Sequence, residues 1–242
     1  MTHEFEITKE VEVEGTPEQV WDAIATGPGI DSWFMGPHTV DGRVGGRMTL
    51  DLGFFQEAST ITAWEPGKHL AYQSDKGEDG TFHAMEYLVE ARDGGSTVLR
   101  FVHSGILADG WGDEFVDQQS KGWDMYLFTM AEYVKHFAGR PGTYVFAQWP
   151  EGTKSFPALL AALGVPENAQ VGDEVVLEPF GVTGVVDYIV RHDLHDFLGV
   201  RGEDAIYRFH GTNAVGHHLF GDATGQAEKW QAFLTQLAGQ TS

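Results

Sequence analysis

The stretch that decides the fold runs from Phe115 to Phe137 and reads FVDQQSKGWDMYLFTMAEYVKHF. Its apolar residues recur at spacings of three and four, as they do along one face of an amphipathic helix. That face carries Trp123, Tyr126, Leu127, Met130, Val134 and Phe137. A helix with so long an apolar face must pack against a large apolar surface.

The sequence before this helix alternates with the period of β-strands and is interrupted by short polar loops. We predict strands at residues 47–52, 59–64, 69–74, 81–91 and 96–104. The loops between them, such as Gly94-Gly95, are rich in residues that favour tight turns, which is typical of an antiparallel meander. The sequence therefore predicts an α+β fold in which one curved antiparallel sheet wraps the long helix.

The beginning of the chain adds one strand and two short helical segments. Residues 4–14 alternate between apolar and charged side chains, which predicts a half-buried strand. The tetrapeptide Thr16-Pro17-Glu18-Gln19 has an N-cap threonine, proline at the first helical position and glutamine three residues after the cap, so a helix begins there. We expect Gly27-Pro28-Gly29 to end this helix and residues 30–34 to form a second short turn.

Four phrases of the sequence resemble a known family. They are TPEQVWDAI at 16–24, IDSWF at 30–34, GGRM at 45–48 and WEP at 64–66. They are similar to the branch of the START-like (SRPBCC) superfamily named after the activator of Hsp90 ATPase; the superfamily is also called the polyketide cyclase and lipid-transport superfamily. The resemblance covers about residues 1–140 and implies the helix-grip fold, in which the curved sheet and the long C-terminal helix enclose an apolar cavity.

Residues 141–242 are predicted to form a second, smaller α+β unit, because Arg140-Pro141-Gly142 cannot continue the long helix. Its final helix repeats the apolar spacing of the first. Trp123, Tyr126, Leu127 and Met130 correspond to Trp230, Phe233, Leu234 and Leu237. We interpret this unit as a shortened, degenerate repeat, the alternative being strands that extend the first sheet or form a dimer contact. A shorter unit encloses less volume, so we expect a packed partner rather than a second pocket.

Two histidines fall on strand faces that the pattern turns inward. These faces carry His83, Met85, Tyr87 and Val89 on one strand and Thr97, Leu99, Phe101 and His103 on the next. A histidine in an apolar cavity can orient a ligand carbonyl or hydroxyl, or act as a general base, because its reference pKa lies near neutrality. The alternative is a core or rim histidine hydrogen-bonded to the backbone or to Tyr87.

The resemblance implies the rest of the ligand-binding lining. It consists of Trp33, Phe34, Met48, Leu50, Trp64, Tyr72, Trp123, Tyr126, Leu127 and Met130, in addition to Met85 and Phe101. The set is rich in aromatic rings and methionine, which suits an adaptable apolar pocket with a few polar groups that orient the ligand.

Composition excludes several classes of function. A net charge of −21 disfavours nucleic acid and anionic membranes as partners, and the absence of cysteine excludes disulfides, thiolate metal sites and the Rieske cluster of ring-hydroxylating relatives. His192 and His195 have helical metal-ligand spacing but lack the His-Glu-x-x-His pattern, so we predict no metal and no cofactor. Without a signal sequence or a long apolar run, the expected location is the cytoplasm.

These observations predict a protein that binds a small hydrophobic or aromatic molecule between the sheet and the long helix, with His83, His103 and Tyr87 as polar contacts. One alternative is a cyclase or dehydratase in which a pocket histidine moves a proton. The other is an interaction protein, either a co-chaperone of the Hsp90-activator type or a homodimer with a vestigial pocket.

Overall fold

The structure is a computed structural model that describes residues 2–53, 55–108, 113–151, 155–191, 196–211 and 213–240. The chain divides into two compact units, Met1–Pro141 and Gly142–Ser242. We call them the N-terminal unit and the C-terminal unit. Each has its own antiparallel sheet.

The N-terminal unit has the predicted helix-grip architecture. Its elements are β1 (Thr2–Val13), α1 (Pro17–Ala25), α2 (Gly27–Asp31), β2 (His38–Val40), β3 (Arg47–Asp51), β4 (Gln56–Glu65), β5 (His69–Ser74), β6 (Phe82–Ala91), β7 (Thr97–Ala108) and α3 (Asp113–Phe137). The seven strands follow the order β1-β7-β6-β5-β4-β3-β2. The α+β prediction is thus confirmed.

The start of α1 follows from its capping box. The Thr16 hydroxyl accepts a hydrogen bond from the Gln19 amide at 3.3 Å, and the Thr16 amide donates to the Gln19 side chain at 2.9 Å. Helix α1 ends at Ala25, just before residues 27–29, but the second helical segment begins at Gly27 instead of Ile30. Thr26 caps α2 by accepting from the Gly29 amide at 3.0 Å, so these residues form the first turn of α2.

The inward faces of β6 and β7 meet in register. Tyr87 lies opposite Phe101 and Met85 opposite His103, and Phe101 and His103 are almost fully buried. The Phe101 ring packs against the indole of Trp123 on α3, with ring centroids 4.3 Å apart. The long apolar face of α3 is therefore buried by the sheet that precedes it in the sequence.

The C-terminal unit follows a similar plan with one strand fewer. Its elements are β8 (Thr143–Gln148), α4 (Phe156–Leu163), β9 (Glu174–Leu177), a 3-10 turn (Glu178–Phe180), β10 (Val182–Val190), β11 (Phe197–Gly202), β12 (Ala205–His210), β13 (Ala214–Leu219) and α5 (Gln226–Gln240). The strand order is β8-β13-β12-β11-β10-β9. In both sheets the first strand pairs with the last, and the others follow in reverse sequence order.

The C-terminal unit contains a buried ion pair. Arg208 on β12 and Asp187 on β10 form two hydrogen bonds of 2.9 and 3.0 Å, and their side chains are 2% and 5% exposed. A Cβ at Gly199 would come within 2.5 Å of both charged groups, so the glycine makes room for the pair. His217, on the neighbouring strand, is fully buried with its ring edge-on to Trp230 at 4.3 Å.

Candidate functional site

The N-terminal unit contains a cavity of about 200 Å³. It lies between the sheet, the segment that follows α2 and helix α3. Its lining is Phe34, Met35, His38, Met48, Leu50, Phe55, Glu57, Ser59, Tyr72, Met85 and Trp123. Strand pairing places His38, Leu50 and Glu57 side by side across β2, β3 and β4. The sheet wall is therefore apolar in the middle, with an imidazole on one side and a carboxylate on the other.

The wall formed by α3 is aromatic. The rings of Phe34 and Trp123 are parallel within 3°, with centroids 5.5 Å apart. Tyr126 contacts the other edge of Phe34 at 4.6 Å in an edge-to-face arrangement. These contacts restrain the rings that face the cavity, which favours a preformed apolar surface.

Behind this wall, two histidines and Trp123 form a hydrogen-bonded chain. The indole Nε1–H of Trp123 donates to Nδ1 of His103 at 3.0 Å, and Nε2 of His103 lies 3.0 Å from Nδ1 of His83. Because an indole can only donate, Nδ1 of His103 must be the acceptor. Neutral His103 therefore carries its hydrogen on Nε2 and donates it to His83.

Burial keeps both histidines neutral. Burial, with a smaller contribution from His83, lowers the pKa of His103 from 6.5 to about 4. Burial also lowers the pKa of His83, and the charge of Glu57 opposes this shift. Both ring nitrogens of His103 are hydrogen-bonded, one to Trp123 and one to His83. His103 is therefore better placed to link these two side chains than to bind a ligand.

Two tyrosines add a second polar group. The hydroxyl of Tyr72, which lines the cavity, lies 3.4 Å from the hydroxyl of Tyr87. Burial raises the pKa of Tyr72 to about 12 and that of Tyr87 well above its usual value of 10. Both are therefore neutral hydrogen-bonding groups at physiological pH.

At the edge of the cavity, His38 is held by a carboxylate. Its Nδ1 lies 2.8 Å from Oδ1 of Asp31, and the same oxygen accepts the backbone N–H of His38 at 2.9 Å. The His38 side chain is only 6% exposed. This pair joins the end of α2 to the short strand β2.

Six of the residues predicted from sequence line the cavity. They are Phe34, Met48, Leu50, Tyr72, Met85 and Trp123. Seven more predicted residues do not line the cavity, namely His83, Tyr87, Phe101, His103, Tyr126, Leu127 and Met130. That these residues contact a ligand stays a prediction.

The last two predicted lining residues, Trp33 and Trp64, also lie outside the cavity lining. Trp33 is 1% exposed and donates its indole N–H to the Ala23 carbonyl at 2.8 Å. Trp64 packs edge-on against Trp21 of α1 at 5.1 Å, away from the cavity. A register shift in β4 between Ile61 and Ala63 brings about this position, because it interrupts the alternation of the strand.

Sequence reasoning missed five of the lining residues, namely Met35, His38, Phe55, Glu57 and Ser59. Glu57 and Ser59 share the odd-numbered face of β4, which extending the predicted strand toward its beginning would have found. His38 lies on a strand of three residues, which is too short to show an alternating pattern.

The C-terminal unit has a larger and more polar cleft of about 730 Å³. It lies beside the Phe180 and Trp230 rings, and Glu203, Asp204 and Asp222 contribute acidic groups to its lining. This cleft is open to solvent and lies beside the packed core of the unit, so the expectation of a packed partner stays a prediction. For an apolar ligand, the smaller cavity has the more suitable lining.

Within the described residues, no group of three or more His, Asp or Glu side chains is arranged to hold a metal ion. His192 and His195 lie outside the described residues. None of the described helices combines the length and apolar character that crossing a bilayer requires.

Comparison with solved structures finds similar chains at low identity. Protein MLL2253 from Mesorhizobium loti is 18% identical over 55% of this chain and 98% of its own, with a TM-score of 0.48. The Aha1 dimer from Colwellia psychrerythraea is 20% identical over 54% of this chain and 96% of its own, with a TM-score of 0.46. DynU16, from the dynemicin biosynthetic locus, is 14% identical over 98% of this chain and 96% of its own, with a TM-score of 0.47.

No curated protein matches the chain. A family model does match it, from residue 14 to residue 135, and its description is "Activator of Hsp90 ATPase homolog 1-like protein". This range contains α1, α2, the strands of the meander and nearly all of α3. Because the match spans half of the chain, the protein belongs to the family of activator of Hsp90 ATPase homolog 1-like proteins.

Proposed function

We propose that the N-terminal unit binds a small aromatic molecule in the cavity between the sheet and α3. The observation that carries this proposal is the lining itself, in which apolar and aromatic side chains surround a few polar groups. Ligand sites have this composition, because the apolar surface supplies affinity and the polar groups fix orientation.

The volume limits the ligand to about one ring. Apolar cavities of roughly 150 Å³ stay dry and accept benzene. The present cavity measures about 200 Å³, which leaves room for a ring with small substituents. The proposed ligand class is therefore a substituted monocyclic aromatic molecule rather than a long acyl chain.

The lining also supports some adjustment to ligand shape. Met35, Met48 and Met85 contribute flexible thioether side chains on different sides of the cavity. Phe55 lines the cavity while remaining 47% exposed, so it lies at the boundary with solvent. A ligand that reaches the cavity would bury this exposed ring further.

A thermal-shift titration with para-xylene tests the proposal on the full-length protein. At about 100 times Kd, binding stabilises a folded protein by about 2.7 kcal/mol, which corresponds to a rise in Tm of roughly 5–10 °C. We expect such a rise for the wild type and none for Met48→Trp, whose indole would occupy the cavity.

Val171→Trp is the matched control, because Val171 is 63% exposed in the C-terminal unit and the chemical change is similar. We expect it to keep the ligand-induced rise. Should Met48→Trp fail to fold, Met85→Trp blocks the same cavity from another strand. No shift in the wild type at saturating para-xylene and none at saturating para-cresol would rule out the proposed function.

We also propose that the C-terminal unit is a shortened copy of the same fold. Two observations support this proposal. The strand orders of the two sheets correspond, and both units pack a histidine of the last strand against a tryptophan of the last helix, His103 with Trp123 and His217 with Trp230.

A further inference from the structure

We propose that His38, held by Asp31, accepts a hydrogen bond from a neutral hydroxyl on the aromatic ligand, so that the cavity selects phenols over hydrocarbons of the same shape. This inference rests on the proposed function and assigns its specificity. His38 is not among the residues that the strand pattern singled out.

The Asp31–His38 pair is built into the wall of the cavity. Asp31 receives both the Nδ1 and the backbone N–H of His38, so the ring and its strand are held by one carboxylate oxygen. A Cβ on Gly36 would come within 2.5 Å of that oxygen, so the glycine allows the carboxylate its close approach. The orientation of the imidazole is thus fixed from three directions, by Asp31, by β2 and by the neighbouring ring of Phe34.

The pairing decides which nitrogen is available to a ligand. An ionised carboxylate only accepts hydrogen bonds, so Nδ1 of His38 carries the hydrogen and Nε2 of the neutral ring is an acceptor. The hydrogen bonds of His38 to other described residues use its Nδ1 and its backbone N–H and leave Nε2 available, and His38 lines the cavity. A ligand hydroxyl that donates to Nε2 would supply the missing partner, whereas a methyl group would leave the acceptor unpaired.

The other polar groups of the cavity set the charge of the ligand. Glu57 lies on the same row of the sheet as His38, with Leu50 between them, and Asp31 is behind the imidazole. Two carboxylates near one small cavity disfavour an anion such as a benzoate, so the hydroxyl must be neutral. Tyr72 is already paired with Tyr87, and His103 is engaged on both nitrogens.

Para-cresol and para-xylene test this inference, because they have the same shape and differ in a hydroxyl against a methyl group. We expect calorimetry on the full-length protein to give para-cresol an affinity about tenfold higher than that of para-xylene. His38→Phe should remove this preference while para-xylene still binds. Para-methylbenzoate should bind far more weakly than either.

Two further variants keep the test interpretable. Asp31→Asn retains the size of the side chain but removes its charge, and we expect it to reduce the preference for para-cresol several-fold without changing para-xylene binding. His69→Phe is the matched control, since His69 forms a similar pair with Glu86 at 2.7 Å but does not line the cavity. Both affinities should be unchanged in that variant.

The outcomes separate this inference from the proposed function. If para-xylene binds and para-cresol binds no tighter, His38 does not select a hydroxyl, and the cavity remains an apolar site. A preference that survives in His38→Phe overturns the inference in the same way. If neither molecule binds the wild type, both the function and its specificity are wrong.

Discussion

Acidification should destabilise the N-terminal unit through His103. The ring is 3% exposed and sits between Trp123 and His83, where protonation would put a second hydrogen on a nitrogen that accepts one. Its pKa is about 4 in the folded chain against 6.5 as the reference. Because the folded-state pKa is the lower one, this stability is complete above pH 6.5 and is lost as the pH falls toward 4.

The size of the effect follows from these two values. Between pH 7 and pH 5, His103 should cost the folded state about 2 kcal/mol. Urea denaturation of the wild type and of His103→Asn at both pH values measures it. Asparagine can still accept the Trp123 N–H but does not titrate in this range. The stability difference between the two proteins should therefore shrink by about 2 kcal/mol at the lower pH.

Other titrating groups cancel in this comparison. Burial also lowers the pKa values of His210 and His217 in the C-terminal unit, but both residues are present in wild type and variant. The exception is His83, which contacts residue 103 directly, so the measured difference belongs to the coupled pair of His83 and His103. A stability difference that is equal at pH 7 and pH 5 would refute the assignment of a depressed pKa to His103.

Two further predictions concern stability in each unit. Asp187→Ala should cost about 3–5 kcal/mol in urea denaturation, because it leaves the buried charge of Arg208 without its partner. The same truncation of Asp75, whose pair with Arg47 is exposed, should have a far smaller effect, and equal costs would contradict the burial argument. Thr16→Ala removes the cap of α1 and should cost about 1 kcal/mol, with Thr16→Ser close to wild type; an unchanged midpoint for the alanine variant would show that the cap contributes nothing.

Local patterns were sufficient for most elements. The prediction of a helix from residue 115 to 137 agrees with α3, and the strand predicted at 69–74 agrees with β5. These segments succeed because side-chain periodicity is set by the geometry of the element itself. β2 was missed because a strand of three residues is too short to show an alternating pattern.

The cavity was predictable only in outline. The inward face of β6 was evident from alternation and that of α3 from its helical spacing, so Met85 and Trp123 could be proposed from these patterns, whereas Tyr72 was implied by the family resemblance. The register shift in β4 and the loop that precedes β2 are not visible as periodic patterns. They decide that Trp64 packs on α1 and that His38 joins the wall.

The sequence by itself determined the α+β class, the long terminal helix, the family resemblance and the set of side chains that form the first core. All of these depend on periodicity and on short motifs, which are properties of neighbouring residues. Only the tertiary structure decided that His103 bridges Trp123 and His83, that Asp31 holds His38 and that Arg208 meets Asp187. Except for the pair Asp31 and His38, these partners are about twenty residues apart, and even that pair is joined by a loop without a periodic pattern. Hydrogen bonds are directional over about 3 Å, so such contacts depend on how the elements pack, which no local pattern contains.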